Sequence, residues 1–177
     1  MHLRLILSIA LFFAVPALAQ HAAHEHGVAD LRVAAEGNTV VIEFDSPLDN
    51  LVGFEHAPRD DAQRMALRTA EERLEDVAAL FGLSPVAGCE VSEIQVDMPY
   101  PQADHDHGGK GGHGHGHTHA DMHAVYALEC SDVAALDRLT VRLIENFPRI
   151  STLRVETATV AGQQSLRVRG AVVDVAL

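Results

Sequence analysis

Residues 89–130 read CEVSEIQVDMPYPQADHDHGGKGGHGHGHTHADMHAVYALEC. Two stretches with apolar side chains at alternate positions, Cys89 to Asp97 and Met122 to Cys130, flank a run that has no apolar period. Alternation marks half-buried strands, so the pair is expected to form an antiparallel hairpin that carries the run between its strands as an insert. A turn centred between Gly109 and Lys110 sets Cys89 directly opposite Cys130. In an oxidising compartment these cysteines are expected to form a cross-strand disulfide that closes the far end of the hairpin, worth roughly 2–4 kcal/mol. The alternative is a thiolate metal pair, although the two lack the short spacing of a zinc ribbon.

The insert is chemically singular. Residues 104–123 hold seven histidines, three aspartates and six glycines in twenty positions. His113, His115, His117 and His119 alternate, and in extended chain alternate side chains recur on one side at roughly 6.6 Å, close enough for neighbouring rings to converge on one ion. His105 and His107 with Asp104 and Asp106 make a second cluster, and Asp121 with His123 a third. Overlapping sets of three or four donors suit capture and exchange better than one rigid site. Glycine permits many wrappings around a metal, but each residue fixed costs roughly 1–2 kcal/mol, so the tract reads as a flexible, fast-exchanging binder. A low-complexity linker that happens to contain histidine is the bland alternative. Imidazole and carboxylate suit zinc, nickel, copper and ferrous iron, and the order of intrinsic affinity places copper above zinc.

Outward from this hairpin the pattern alternates between strands and helices. Val28 to Ala35 and Thr39 to Asp45 read as strands joined by Glu36-Gly37-Asn38, an amino-terminal hairpin centred on Gly37 that sets His26 opposite Leu48. Arg59 to Phe81 has the helical period in Leu67, Ala70, Leu74, Val77 and Phe81, with Asp60 and Asp61 at its start and Gly82 as its stop. Asp132 to Phe147 is expected to be a second helix with Val133, Leu136, Leu139, Leu143, Ile144 and Phe147 as its buried stripe, ended by Pro148. Leu153 to Val160 and Leu166 to Leu177 finish as strands, with a bulge expected at Gly170. The expected fold class is α+β, a mainly antiparallel sheet of about six strands with two helices packed on one face.

The beginning of the chain reads as a secretory leader. Arg4 precedes the apolar run Leu5 to Val15, and Ala17-Leu18-Ala19 has the small-x-small form of a cleavage site. The run is shorter than the ~20 residues that span a bilayer, so residues 1–19 are expected to be removed, not kept as an anchor. Residues 20–177 are then expected to form a single exported, soluble domain with no membrane anchor, residues 104–123 being its metal-binding loop. Cleavage takes one of the 13 Lys and Arg residues and leaves 12 against 25 acidic ones, a formal charge of −13 with neutral histidines. That balance opposes nucleic-acid binding and attracts cations.

A second metal site is expected near the mature start. His24 and His26 repeat the alternate-residue clamp, with His21 close by, and the hairpin register brings them toward His56. Glu55 is an oxygen donor beside it. A zinc hydrolase built on these histidines, with Glu25 or Glu55 as base, is the catalytic alternative. The chain lacks HExxH or any comparable signature, so no enzyme is expected.

HEHGVADLRVAAEG after the leader, FDSPLDNLVGFEHAP after the second strand, the histidine-rich insert before a strand, and the late FPRISTLRV together resemble the ZrgA family of periplasmic zinc-uptake proteins, over nearly the whole mature chain. The resemblance implies a zinc-binding accessory acting near an importer, with metal carried at His24, His26, His56 and the tract. Zinc is therefore the expected ion and a periplasmic importer component the expected partner. Copper or nickel binding for detoxification or metal delivery is the alternative.

Overall fold

The computed structural model of the chain describes residues 25–99 and 120–177. Alternation does its expected work in the first two strands. In β1 (Val28–Glu36) the even-spaced Ala29, Leu31, Val33 and Ala35 are buried, and in β2 (Thr39–Pro47) so are Val40, Ile42 and Phe44. They pair antiparallel from Glu36↔Thr39 to Asp30↔Asp45, one residue out of the register expected from a turn centred on Gly37. Gly37 takes φ +64°, the left-handed conformation that a tight hairpin turn asks of its turn residues.

The chain then turns through α1 (Leu48–Val52), α2 (Asp61–Glu75), α3 (Val77–Leu80) and the short β3 (Phe81–Leu83). One helix was expected over residues 59–81. The Asp60 carboxylate caps its start by accepting from Gln63 N at 2.8 Å. It breaks at Asp76, whose side chain accepts from Ala79 N at 3.1 Å and restarts the helix as α3.

The hairpin around the histidine-rich insert is present as β4 (Cys89–Asp97) and β5 (Asp121–Cys130), with Cys89 opposite Cys130 and the two joined by a disulfide. A bulge at Ser92 shifts the register by one, so that Asp97 faces His123 at the other end. β5 contains Met122 and His123, which the alternation already places in a strand, and begins one residue earlier, at Asp121.

The second expected helix does not form. Residues 132–147 divide into a single turn at Val133–Ala135, the strand β6 (Arg138–Val141) and one helical turn, α4 (Leu143–Asn146). Leu139 and Val141 alternate into the core while Arg138 faces out, and β6 is held between β3 and β9 (Val173–Ala176) in a three-stranded sheet. Tertiary pairing therefore overrides the helical spacing of the apolar residues. The last expected strand is likewise two: β8 (Gly162–Val168) follows β7 (Thr152–Thr159), and β9 lies in the other sheet.

The fold is α+β. Its main sheet has the order β4-β5-β2-β1-β7-β8, antiparallel except for the parallel pair β1 and β7. Leu31, Ile42, Phe44, Met122, Tyr126, Leu128, Leu153 and Val155 from one face of that sheet share a buried cluster with Leu67, Ala70 and Leu74 of α2 and Leu80 of α3. Each fully buried large apolar side chain contributes about 1.5–3 kcal/mol. The opposite face is left for polar side chains. Among the described residues no helix is long and apolar enough to cross a membrane.

Candidate metal centre

Side chains directly opposite one another on paired strands share a face. Following the pairings outward from β4 gives Asp97, His123, Asp45, Asp30, Arg154 and Arg167, one row across all six strands. Acid and imidazole occupy the four positions on β4, β5, β2 and β1, and arginine the two on β7 and β8. Within the row, His123 Nδ1 donates to Asp45 Oδ1 at 2.7 Å. The other oxygen of Asp45 accepts from Arg32 at 2.8 Å, and Arg32 also donates to Glu43 at 3.1 Å. Burial works against the charge of the Arg32 guanidinium, but Asp45 and Glu43 more than offset it and raise its pKa. Asp30 and Arg154 form a two-pronged pair at 2.6 Å on each arm, and those hydrogen bonds raise Arg154 as well. His123 is thus held by a carboxylate that is itself held in place.

A second polar centre lies where β1 starts. His26 Nε2 donates to Glu55 Oε1 at 3.0 Å; the imidazole is 58% exposed and the carboxylate 15%. His56 is next in sequence: its Nδ1 donates to Ala57 O at 2.9 Å and its ring stacks on Phe54 at 5.2 Å between centroids.

The three histidines among the described residues therefore share one arrangement. Carboxylates and carbonyls only accept, so the ring nitrogen facing each of them carries the proton. In the neutral ring the other nitrogen then presents a lone pair: Nε2 in His123 and His56, Nδ1 in His26. Metal-ligating histidines characteristically donate their second ring N–H to an oxygen, which fixes tautomer and orientation and raises basicity.

The structure brings His26 to Glu55 and His123 to Asp45, but among the described residues it does not assemble a closed site. Among the described residues no three His, Cys, Asp or Glu side chains are grouped so as to hold a metal ion. Of the site expected from His24, His26 and His56, His26 and His56 are described. Asp121 stands opposite Pro47 at the start of β5. Cys89 and Cys130 are spent on the disulfide and give no thiolate pair. His21, His24, Asp104, Asp106, His105, His107, His113, His115, His117 and His119 lie outside the described residues. Two residues around the site escaped the sequence reading. Asp45 looked like the end of a strand, and its partnership with His123 depends on β2 and β5 being neighbours. Asn50, 1% exposed, lies in a segment whose expected ligands are His56 and Glu55.

Residues 23–176 match the model of a family described as ZrgA family zinc uptake protein. Among curated proteins none matches the chain.

Proposed function

The chain belongs to the ZrgA family of zinc-uptake proteins, and from that membership we propose that it captures zinc through its histidine-rich segment and passes the ion toward a zinc importer. Its role is uptake, not catalysis, and its place is the periplasm, where a Cys89–Cys130 disulfide is stable. The capture step is assigned to His105, His107, His113, His115, His117 and His119, aided by Asp104 and Asp106, because imidazole at alternate positions supplies many exchangeable donor sets. His123 with Asp121 extends that set onto the sheet. His24, His26 and His56, with His21 and Glu55 nearby, make the second place of contact.

The observation that carries this reading is the geometry of His123. It lies on β5 beside the end of the segment, with one ring nitrogen tied to Asp45 and the other left as a donor. A ligand so oriented costs less to engage than one free to rotate. The full formal charge of −12 with neutral histidines favours cation capture over long range.

Native mass spectrometry of the mature protein titrated with zinc, nickel and copper tests the reading. Several zinc ions bound in successive, exchangeable steps is the expected result. A protein that takes up copper or nickel but no zinc would instead be a detoxification or delivery protein for those metals.

A further inference from the structure

Three of the segments that carry the family resemblance, HEHGVADLRVAAEG, FDSPLDNLVGFEHAP and FPRISTLRV, come from distant parts of the chain, yet one side chain joins two of them and the third completes the joint. Asn50 in α1 uses all its polar atoms. Its Oδ1 accepts from Gly27 N at 2.6 Å, and its Nδ2 donates to Val28 O at 2.9 Å and to Ser46 Oγ at 3.1 Å. From the other side, Gly27 O accepts from Ser151 N at 2.8 Å, Thr152 N at 3.0 Å and Ser151 Oγ at 3.0 Å. Arg149 adds a tie to α1, donating to Asp49 O at 2.8 Å and to the Asp49 carboxylate.

We propose that Asn50 is the positioning residue of the amino-terminal zinc contact: by fixing the Gly27 peptide it sets the His26 ring against Glu55. The proposal rests on the reading of His26 as a ligand. A peptide unit is planar, so the Gly27 N–H lies in one plane with the Cα of His26. Holding that N–H on Asn50 therefore fixes the point from which the His26 side chain departs. Asn50 and Glu55 flank the Gly53 turn, so the same short segment holds both the backbone of His26 and the partner of its ring. Gly27 suits the clamp for two reasons: it takes φ +82°, and a Cβ there would meet Ser151 Oγ at 3.0 Å. An asparagine is also a costly way merely to fill space, because a buried amide must find partners for every polar atom. Here each partner belongs to the backbone just after His26 or to the end of β2 beneath it.

Zinc titration calorimetry on the full mature chain tests this with Asn50→Ala, His26→Ala and the double variant. Asn50→Ala alone is expected to weaken the tightest zinc step about tenfold, the lower end of what lost outer contacts cost a metal site. Added to His26→Ala it should change nothing further, since it acts through that ring. Thr157→Ala, a buried polar change in β7 away from this joint, is expected to lower the melting temperature and leave the zinc step alone, which separates positioning from general stability. If Asn50→Ala does not fold, Gly27→Ala displaces the same peptide and should give the same loss with the same dependence on His26. A tight step that His26→Ala abolishes but the Asn50 or Gly27 variant leaves intact overturns the positioning role and spares the ligand. A tight step that survives His26→Ala overturns the ligand reading, and the positioning role with it.

Discussion

His123 Nδ1 lies 2.7 Å from Asp45 Oδ1 across the β5–β2 pair, and on its other side in the sheet stands Asp97, the last residue of β4. The described imidazole on the strand that follows the histidine-rich segment is thus held by a carboxylate from a strand remote in sequence. Asp45→Asn loses the charge that selects the Nδ1–H form, because an amide can accept or donate. The variant is expected to weaken the zinc step that includes His123 about tenfold while the fold is kept. Calorimetry beside a thermal melt checks it; an unchanged zinc isotherm would remove Asp45 from the account.

The disulfide gives a prediction that separates structure from metal. Reduction with a phosphine that does not bind zinc should lower stability by roughly 2–4 kcal/mol, visible as a lower melting temperature. The number of zinc ions bound should stay the same, since Cys89 and Cys130 anchor the end of the hairpin opposite His123. A gain of one zinc on reduction would show that the thiols compete as ligands.

Tyr126 bears on alkaline stability. It is fully buried, packs edge-on against Phe81 at 5.3 Å, and its hydroxyl has no hydrogen-bond partner among the described residues. Burial pushes its phenol well above the ordinary value of 10.0. In the unfolded chain the phenol ionises near 10, while the folded protein keeps the proton to higher pH. Stability therefore falls as pH rises from about 10 toward the folded value, and below about 10 the group contributes no pH dependence. Tyr126→Phe is expected to melt no lower than wild type at pH 8 and measurably higher at pH 10.5. Equal pH dependence of the two proteins would show that Tyr126 ionises as easily folded as unfolded.

Local pairings were legible in the sequence and distant ones were not. The β4–β5 register follows from Cys89 and Cys130 and the centre of the insert as far as the bulge at Ser92, beyond which it is one residue out, and the β1–β2 register follows from Gly37 to within one residue, because a hairpin's pairing is set by its turn. Residues 132–147 defeated the same reasoning. Leu136, Leu139 and Leu143 are spaced for a helix, but the partners of β6 are Phe81–Leu83 and Val173–Ala176, far away in the chain. The parallel pairing of β1 with β7 is equally non-local, and with it the row from Asp97 to Arg167. For the site, histidines declare themselves by type, whereas Asp45 and Asn50 matter only through neighbours that the fold supplies.

Deleting residues 104–119 leaves Ala120, whose carbonyl accepts from Leu48 N at 2.9 Å, and the buried Met122 in place. The shortened protein is expected to melt within a few degrees of wild type and to lose most of its zinc capacity. Full capacity in the deletion would move the capture step elsewhere in the chain.

The central claim is that histidine nitrogens hold the zinc, and protons compete with metal for those nitrogens. The imidazole pKa is ordinarily about 6.5, while carboxylates stay charged to about pH 4. The decisive measurement is zinc retained by the mature protein after equilibrium dialysis at a series of pH values from about 7.5 to about 5.5. The account predicts that occupancy falls steeply across that range, with several protons taken up per ion released. Occupancy that stays flat across it would contradict the account, because the ligands would then be groups that do not titrate there.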